Sequence, residues 1–270
     1  MPELPEVEIT RRGIEPVINH QTIELVKVHT PKLRWPIPRL NQHLKHQTIS
    51  SITRRGKYIL IQVEKGTLII HLGMSGCLKL VPKKKPRIKH DHVEIFFESG
   101  ICLRYNDPRR FGAMLWTTQP AENHIRLIDL GVEPLEENFT GETLHQIIQN
   151  RRCSIKTLLM NSHLIVGIGN IYATEALFIS KISPIIPAHR LSKKRCEKLV
   201  STIKMVLNHA IHQGGTTLKD FRNSDGKPGY FSQQLLVYGK AGLPCPNCKK
   251  TLTLITQQQR STTYCTHCQR

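Results

Sequence analysis

Two thiol pairs near the C-terminus constrain the fold more than any other feature. Cys245-Pro246-Asn247-Cys248 and Cys265-Thr266-His267-Cys268 are separated by sixteen residues. Thiolates two residues apart grip one ion, and an intervening segment of this length forms a β-hairpin that brings the pairs together. The spacing predicts one structural Zn²⁺ held by Cys245, Cys248, Cys265 and Cys268. Such a tetrahedron is closed, so it has no open position for a catalytic water, and His267 is left over. The hairpin carries Gln257-Gln258-Gln259-Arg260-Ser261-Thr262 and so offers Arg260 near its tip, either to a phosphate or groove or simply to solvent. The other cysteines (Cys77, Cys102, Cys153, Cys196) are expected as buried small apolar side chains.

Charge narrows the partner. Lys and Arg number 39 against 20 Asp and Glu, a net +19 before any of the 14 histidines is counted. An excess of this size calls for an anionic partner, nucleic acid before an acidic membrane surface. Apolar runs such as Leu68-Ile69-Ile70 fall far short of the ~20 residues of a spanning helix. Glu3, Glu6 and Glu8 do not fit a signal peptide. A cytoplasmic protein with reduced cysteines and no membrane role is expected.

The pattern predicts an α+β chain. Leu4, Val7, Ile14 and Ile18 share one face of a helix spanning 4–18. Hairpins follow, 57–63 with 67–72 around Glu64-Lys65-Gly66, and 92–97 with 101–105 around Glu98-Ser99-Gly100. Successive hairpins favour an antiparallel β-sandwich. The basic stretch Pro82-Lys83-Lys84-Lys85-Pro86-Arg87 reads as a mobile loop. Beyond Gly131-Val132-Glu133-Pro134 the periodicity turns helical, over 143–149, 155–160, 171–179 and 193–212, with Gly167-Ile168-Gly169-Asn170 breaking two helices apart. The expected domains are 1–132, a β-sandwich carrying the N-terminal helix; 133–230, helical; and 236–270, the zinc hairpin.

The chain start carries chemistry of its own. Removal of Met1 would leave Pro2 with a free secondary amine, which condenses with an aldehyde to an iminium that stays cationic and withdraws electrons. A helix beginning at residue 3 or 4 places positive potential at that amine and disfavours its protonated form. Glu3 is close enough to serve as general acid or base. On its own, Pro2-Glu3 also suits an ordinary helix start.

Taken together, Pro-Glu-Leu-Pro-Glu at residues 2–6, the basic helical half and the Cys₄ hairpin resemble the formamidopyrimidine-DNA glycosylases. Further motifs carry the likeness: Arg54-Arg55-Gly56-Lys57-Tyr58, His71-Leu72-Gly73-Met74-Ser75-Gly76, Asp107-Pro108-Arg109-Arg110-Phe111-Gly112 and Gly214-Gly215-Thr216-Thr217-Leu218-Lys219-Asp220-Phe221. The resemblance implies a bifunctional glycosylase and lyase that excises oxidised purines such as 8-oxoguanine, working as a monomer on damaged double-stranded DNA. It implies that Pro2 attacks C1′, that Glu3 acts as acid, that Lys57 assists β-elimination and that Arg260 assists δ-elimination and contacts phosphate. Met74, Arg109 and Phe111 would fill the void that an extruded nucleotide leaves in the stack. Lys156 and Asn170, beside the glycines of a helix–two-turn–helix element, would bind phosphate. His90 and Arg151 match further DNA-contact positions, with Arg152 as the alternative to Arg151. The stretch Gly214 to Tyr230 resembles a loop over the flipped base, with Thr217 to Lys219 and Tyr238 as candidate contacts. Two alternatives stand beside this one: a non-catalytic DNA-binding zinc protein, and the related glycosylases for oxidised pyrimidines, in which Gly is usual where Leu4 stands here.

Overall fold

A computed structural model of the chain describes residues 2–216 and 231–270. Met1, Thr217 and Lys219 therefore lie outside the described residues. The chain divides into two compact units, Met1–Asp129 with Gln213–Ser232, and Leu130–His212 with Gln233–Arg270.

In the first unit, α1 (Leu4–Ile18) starts one residue after Glu3, which is its N-cap, and has Pro5 in its first turn. Leu4, Val7, Ile14 and Ile18 are fully buried, as the helical spacing requires. Eight antiparallel strands follow: β1 (Ile23–Val28), β2 (Ile49–Arg55), β3 (Tyr58–Val63), β4 (Gly66–His71), β5 (Cys77–Pro82), β6 (Asp91–Phe97), β7 (Ile101–Asn106) and β8 (Ala113–Thr117), with the short helix α2 (Leu40–Leu44) between β1 and β2. They form two four-stranded sheets ordered β1-β6-β7-β5 and β2-β3-β4-β8. Both sheets and α1 turn their apolar sides to one core, from Val7 and Ile14 through Ile59, Ile61 and Leu68 to Val93, Phe97 and Leu103. That arrangement is the expected sandwich. The hairpins β3–β4 and β6–β7 pair in the expected places, with Tyr58 opposite His71 and Ile95 opposite Leu103.

The basic loop after β5 is tethered. Arg104 on β7 is buried beside Glu94 at 2.9 Å, and its guanidinium donates to the carbonyls of Lys85 and Pro86. A buried cation with planar donors thus holds the loop's backbone, while the lysine side chains are exposed, Lys83 pairing with Glu24.

The second unit contains α3 (Gly141–Ile148), α4 (Ile155–Leu159), α5 (Asn170–Ile179) and α6 (Lys193–His212), then the hairpin β9 (Thr253–Gln257) and β10 (Arg260–Tyr264). The hydroxyls of Thr140 and Ser154 cap α3 and α4 by accepting from Thr143 and Thr157. Phe178, Val237 and Leu252 pack with Cys245 and Cys265 in a small core of their own. Cys77, Cys102 and Cys196 are buried as expected, but Cys153 is exposed. It lies with Arg151 and Arg152 in the solvent-facing connection before Ser154 rather than on an apolar helix face. Among the described residues, no helix is long and apolar enough to cross a membrane.

Candidate active site

In the first unit, Pro2 is buried at the head of α1, and Glu3 and Glu6 are 3% and 2% exposed. The Glu6 carboxylate accepts from the Glu3 N–H at 2.8 Å through one oxygen and from the Thr216 N–H at 2.8 Å through the other. It fixes the peptide that carries Pro2 and ties Thr216 to the same point. The local sequence explains this, since a carboxylate at the third helical position reaches back to the unpaired N–H of the cap residue. Glu8 is held below the ordinary carboxylate range: burial pushes it up, but Arg11, Arg12 and Arg54 outweigh that. Arg54 on β2 thereby anchors α1 against its neighbouring strand at 3.1 Å.

The β2–β3 hairpin turns on Gly56, at φ +55°, and puts Lys57 at its tip. Tyr58 packs against His71 with ring centroids 4.8 Å apart. Desolvation, then Lys57 and Arg34, push the His71 pKa down to about 4. Arg34 and Arg126 both stack on Trp35, at 4.7 and 4.2 Å.

Met74 lies on the β4–β5 connection, while Arg109 and Phe111 lie on the β7–β8 connection. Strand pairing brings these connections side by side, because β8 pairs with β4 (Ala113 opposite His71) and β7 with β5 (Asn106 opposite Cys77). Gly73, at φ +65°, is what permits the closeness: a Cβ there would lie 2.4 Å from the Gly112 nitrogen. Phe111 is 47% exposed, and the Arg109 guanidinium lies 4.9 Å from its ring. A half-buried Met, an exposed aromatic ring and a stacked arginine on two adjoining loops can enter a gap between bases. His90, at φ +71°, accepts the Asp107 N–H through its carbonyl.

In the second unit, Gly167 (φ +81°) and Gly169 bring the chain into α5, whose first residue is Asn170. Lys156 and Asn170 come together as expected, but the lysine is turned inward. It is 1% exposed, and its ammonium donates to Asn170 Oδ1 and Thr262 Oγ1, each at 2.6 Å, and to the Ser261 carbonyl at 3.2 Å. Asn170 Nδ2 also donates to the Ser261 carbonyl, at 3.0 Å. The pair braces the helix N-terminus against β10. Arg260 is exposed at the start of that strand, after a turn in which Gln258 and Gln259 both take left-handed backbone, φ 46° and 60°. Arg151 is exposed, with its Nε donating to the Ile147 carbonyl; Arg152 is exposed beside it. The Tyr238 N–H, with those of Leu236 and Val237, donates to the buried carboxylate of Glu175.

The sulfurs of Cys245, Cys248, Cys265 and Cys268 all lie within 4.8 Å of one another. Tetrahedral Zn–S bonds of about 2.3 Å place sulfurs roughly 3.8 Å apart, so the set fits zinc. Sequence reasoning missed Glu175, Asp107 and the hydrogen bonds of Glu6. Only Glu6 carried a local signal, through its spacing from Glu3.

Three family models match the chain: the formamidopyrimidine-DNA glycosylase N-terminal domain over residues 1–114, the formamidopyrimidine-DNA glycosylase H2TH domain over 130–222, and a zinc finger found in FPG and IleRS over 242–270. A formamidopyrimidine-DNA glycosylase of Stutzerimonas stutzeri is 52% identical over 271 residues, covering 100% of both chains. The MutM (Fpg) protein of Thermus thermophilus superposes with a TM-score of 0.88 at 36% identity, covering 99% of this chain and 98% of that one. A Lactococcus lactis Fpg, in complex with DNA containing an abasic site, gives 0.90 at 32% identity, with 99% of both chains covered.

Proposed function

We infer the activity from one premise: the chain belongs to the formamidopyrimidine-DNA glycosylase family. It is a DNA glycosylase of base-excision repair that removes oxidised purines, 8-oxoguanine and formamidopyrimidines, from duplex DNA. It also nicks the strand as a lyase. The observation that carries the residue assignment is the buried Pro2-Glu3 pair at the head of α1, with the Glu3 peptide held by Glu6.

The Pro2 nitrogen, freed of Met1, attacks C1′ of the damaged nucleoside. The bond from C1′ to the base and the C1′–O4′ bond both break, Glu3 supplying the proton that opens the sugar ring or releases the base, which leaves C1′ as a ring-opened iminium on Pro2. The resulting iminium acidifies C2′. Loss of that proton expels the 3′ phosphate, with Lys57 assisting the transfer. Loss of the C4′ proton then expels the 5′ phosphate, with Arg260 stabilising the leaving anion, and water hydrolyses the iminium to free the sugar remnant and regenerate the Pro2 amine. The strand is left with a one-nucleotide gap bearing phosphate at both ends. Met74, Arg109 and Phe111 occupy the vacated stack, Arg109 donating to the orphaned base. Asn170, His90 and Arg151 contact phosphates, Lys156 orients Asn170, and Tyr238 and Lys219 belong to the lesion-contacting set. The zinc held by the four cysteines supports the Arg260 hairpin and takes no part in bond making. The functional divisions we assign are 1–132, 133–230 and 236–270, although Gln213–Ser232 belongs with the first compact unit. The protein acts as a monomer, in the bacterial cytoplasm on nucleoid DNA.

Borohydride trapping tests the assignment. The wild-type chain should form a covalent adduct with a duplex containing 8-oxoguanine, and mass spectrometry should place it on the N-terminal peptide starting at Pro2. A Pro2→Gly variant should trap far less. Equal trapping, or an adduct on another peptide, would sink the nucleophile assignment. Faster excision of thymine glycol than of 8-oxoguanine would move the chain to the pyrimidine-repair branch.

A further inference from the structure

Asp107 sits between the two loops that carry Met74, Arg109 and Phe111, and it is completely buried. One of its oxygens accepts the Ser75 hydroxyl at 2.6 Å. The other accepts the Gly112 N–H at 2.9 Å and lies 3.4 Å from the Tyr105 hydroxyl. Its backbone is held as well: its N–H donates to the His90 carbonyl, and its own carbonyl accepts from His92 Nε2 at 2.8 Å and from the Arg110 N–H at 3.2 Å.

Ser75 extends this network to the wedge. Its hydroxyl gives its proton to Asp107, and its oxygen accepts the Arg109 N–H at 3.2 Å. Ser75 follows Met74 directly, so one side chain joins the loop of Met74 to the peptide of Arg109 through the Asp107 carboxylate. Gly112, the next donor to Asp107, follows Phe111 directly. Each of the three residues assigned to the void is therefore at most one peptide away from a group bonded to Asp107 or to Ser75.

Tyr105 closes the arrangement from below. Its hydroxyl donates to the His71 carbonyl at 3.1 Å. A Cβ on Gly112 would lie 1.6 Å from that oxygen, and one on Gly76 2.6 Å from it. The glycines on both loops thus leave room for this one hydroxyl.

We propose that Asp107 and Ser75 are positioning residues that lock the Met74 and Arg109–Phe111 loops into one rigid wedge and so set how strictly the enzyme reads the base opposite the lesion. The inference rests on the reading of Met74, Arg109 and Phe111 as void-filling residues. The physical reason is preorganisation. A wedge entering a base stack is pushed back by it, and an arginine reading a base edge discriminates only as sharply as its peptide is held. A buried carboxylate with several donors on two loops resists such displacement, because shifting either loop leaves charge unsatisfied away from water.

The test uses the full chain and three variants: Ser75→Ala, Tyr105→Phe and Arg109→Ala. Excision is measured on duplexes with 8-oxoguanine opposite C and opposite A. Borohydride trapping is measured on an abasic site in duplex DNA and in a single strand, where there is no stack to fill. Ser75→Ala should lower the C-over-A preference, and the duplex-over-single-strand trapping ratio, by about tenfold or more, the scale of one hydrogen bond to a charged group. Its trapping on the single strand should stay at the wild-type level. Tyr105→Phe keeps the ring and removes only the hydroxyl; it should move both ratios in the same direction and serves if Ser75→Ala folds poorly. The proposal is overturned if the variants lower single-strand and duplex trapping in proportion, which marks a merely structural role. It is equally overturned if both ratios stay at wild type while Arg109→Ala shifts them. If Arg109→Ala itself shifts neither ratio, the void-filling reading fails and the inference falls with it.

Discussion

His71 shows how much one side chain can settle. Its Nδ1 accepts the Gly73 N–H at 3.0 Å, so the neutral ring carries its proton on Nε2. Protonating Nδ1 would break that bond, and desolvation together with Lys57 and Arg34 already holds the pKa down to about 4. The sign follows directly. An unfolded histidine takes up its proton near ~6.5. The folded chain refuses it until about 4, so acid favours the unfolded state across that window. Stability should fall as pH drops from about 6.5, by about 1 kcal/mol at about pH 5.5 after allowance for the ring's partial exposure. Thermal melts of wild type and His71→Asn at pH 7.5 and 5.5 measure it, and the variant should lose less on acidification. An equal loss in both would show that His71 is not the group responsible. Glu8 works at lower pH with the same sign: held below the ordinary carboxylate range by its arginines, it stabilises the fold above that range and ceases to as it protonates.

The zinc hairpin is where an element departs from its own propensities. A two-residue turn with both central residues at positive φ suits Asn-Gly, yet Gln258 and Gln259 occupy it at 46° and 60°. Left-handed backbone costs an ordinary residue about 1 kcal/mol or more. Gln259→Gly should therefore stabilise the hairpin by roughly 0.5–1 kcal/mol once glycine's entropy is set against the relief. Zinc release to a chelator, followed optically, should slow in the variant; faster release would mean that the Gln259 side chain does more for the hairpin than its backbone costs. The same comparison shows what was legible beforehand. Tight turns flanked by apolar runs revealed β3–β4 and β6–β7, the 3.6-residue period revealed α1 and the long helices, and cysteine spacing revealed the metal. Strands β1, β2, β5 and β8 were missed, because half-exposed faces and the terminal Pro82 of β5 blur the alternation that marks a strand. In the candidate site, Pro2 and Glu3 were named from the chemistry of a secondary amine and from family motifs, and Lys57 and the wedge residues from family motifs alone. Asp107 and Glu175 could not be assigned a role, because the bond that ties Asp107 to the other loop, to Ser75, spans 32 residues, those of Glu175 span 61 to 63, and no local period announces such bonds.

Across the whole molecule, a net charge of +19 does not by itself say which cations meet DNA. Burial separates them. Lys156 spends its ammonium on Asn170, Thr262 and Ser261 inside the second unit, and Arg104 spends its guanidinium on Glu94 and the basic loop. Arg151, by contrast, is exposed, with its Nε donating to the Ile147 carbonyl. Only a cation that displaces counterions from phosphate contributes to salt dependence, with a log–log slope of about −0.9 per phosphate neutralised. Binding to a duplex with an uncleavable abasic analogue, titrated at several salt concentrations, should give a steep slope for the wild-type chain. Arg151→Ala should make it shallower by about 0.9. Lys156→Met should leave the slope where it is and weaken binding at every salt concentration, since it frees Asn170 and unbraces β10 without removing a phosphate contact. A slope made shallower by the lysine change would show that Lys156 turns outward when DNA binds; a slope untouched by the arginine change would remove Arg151 from the phosphate-contacting set.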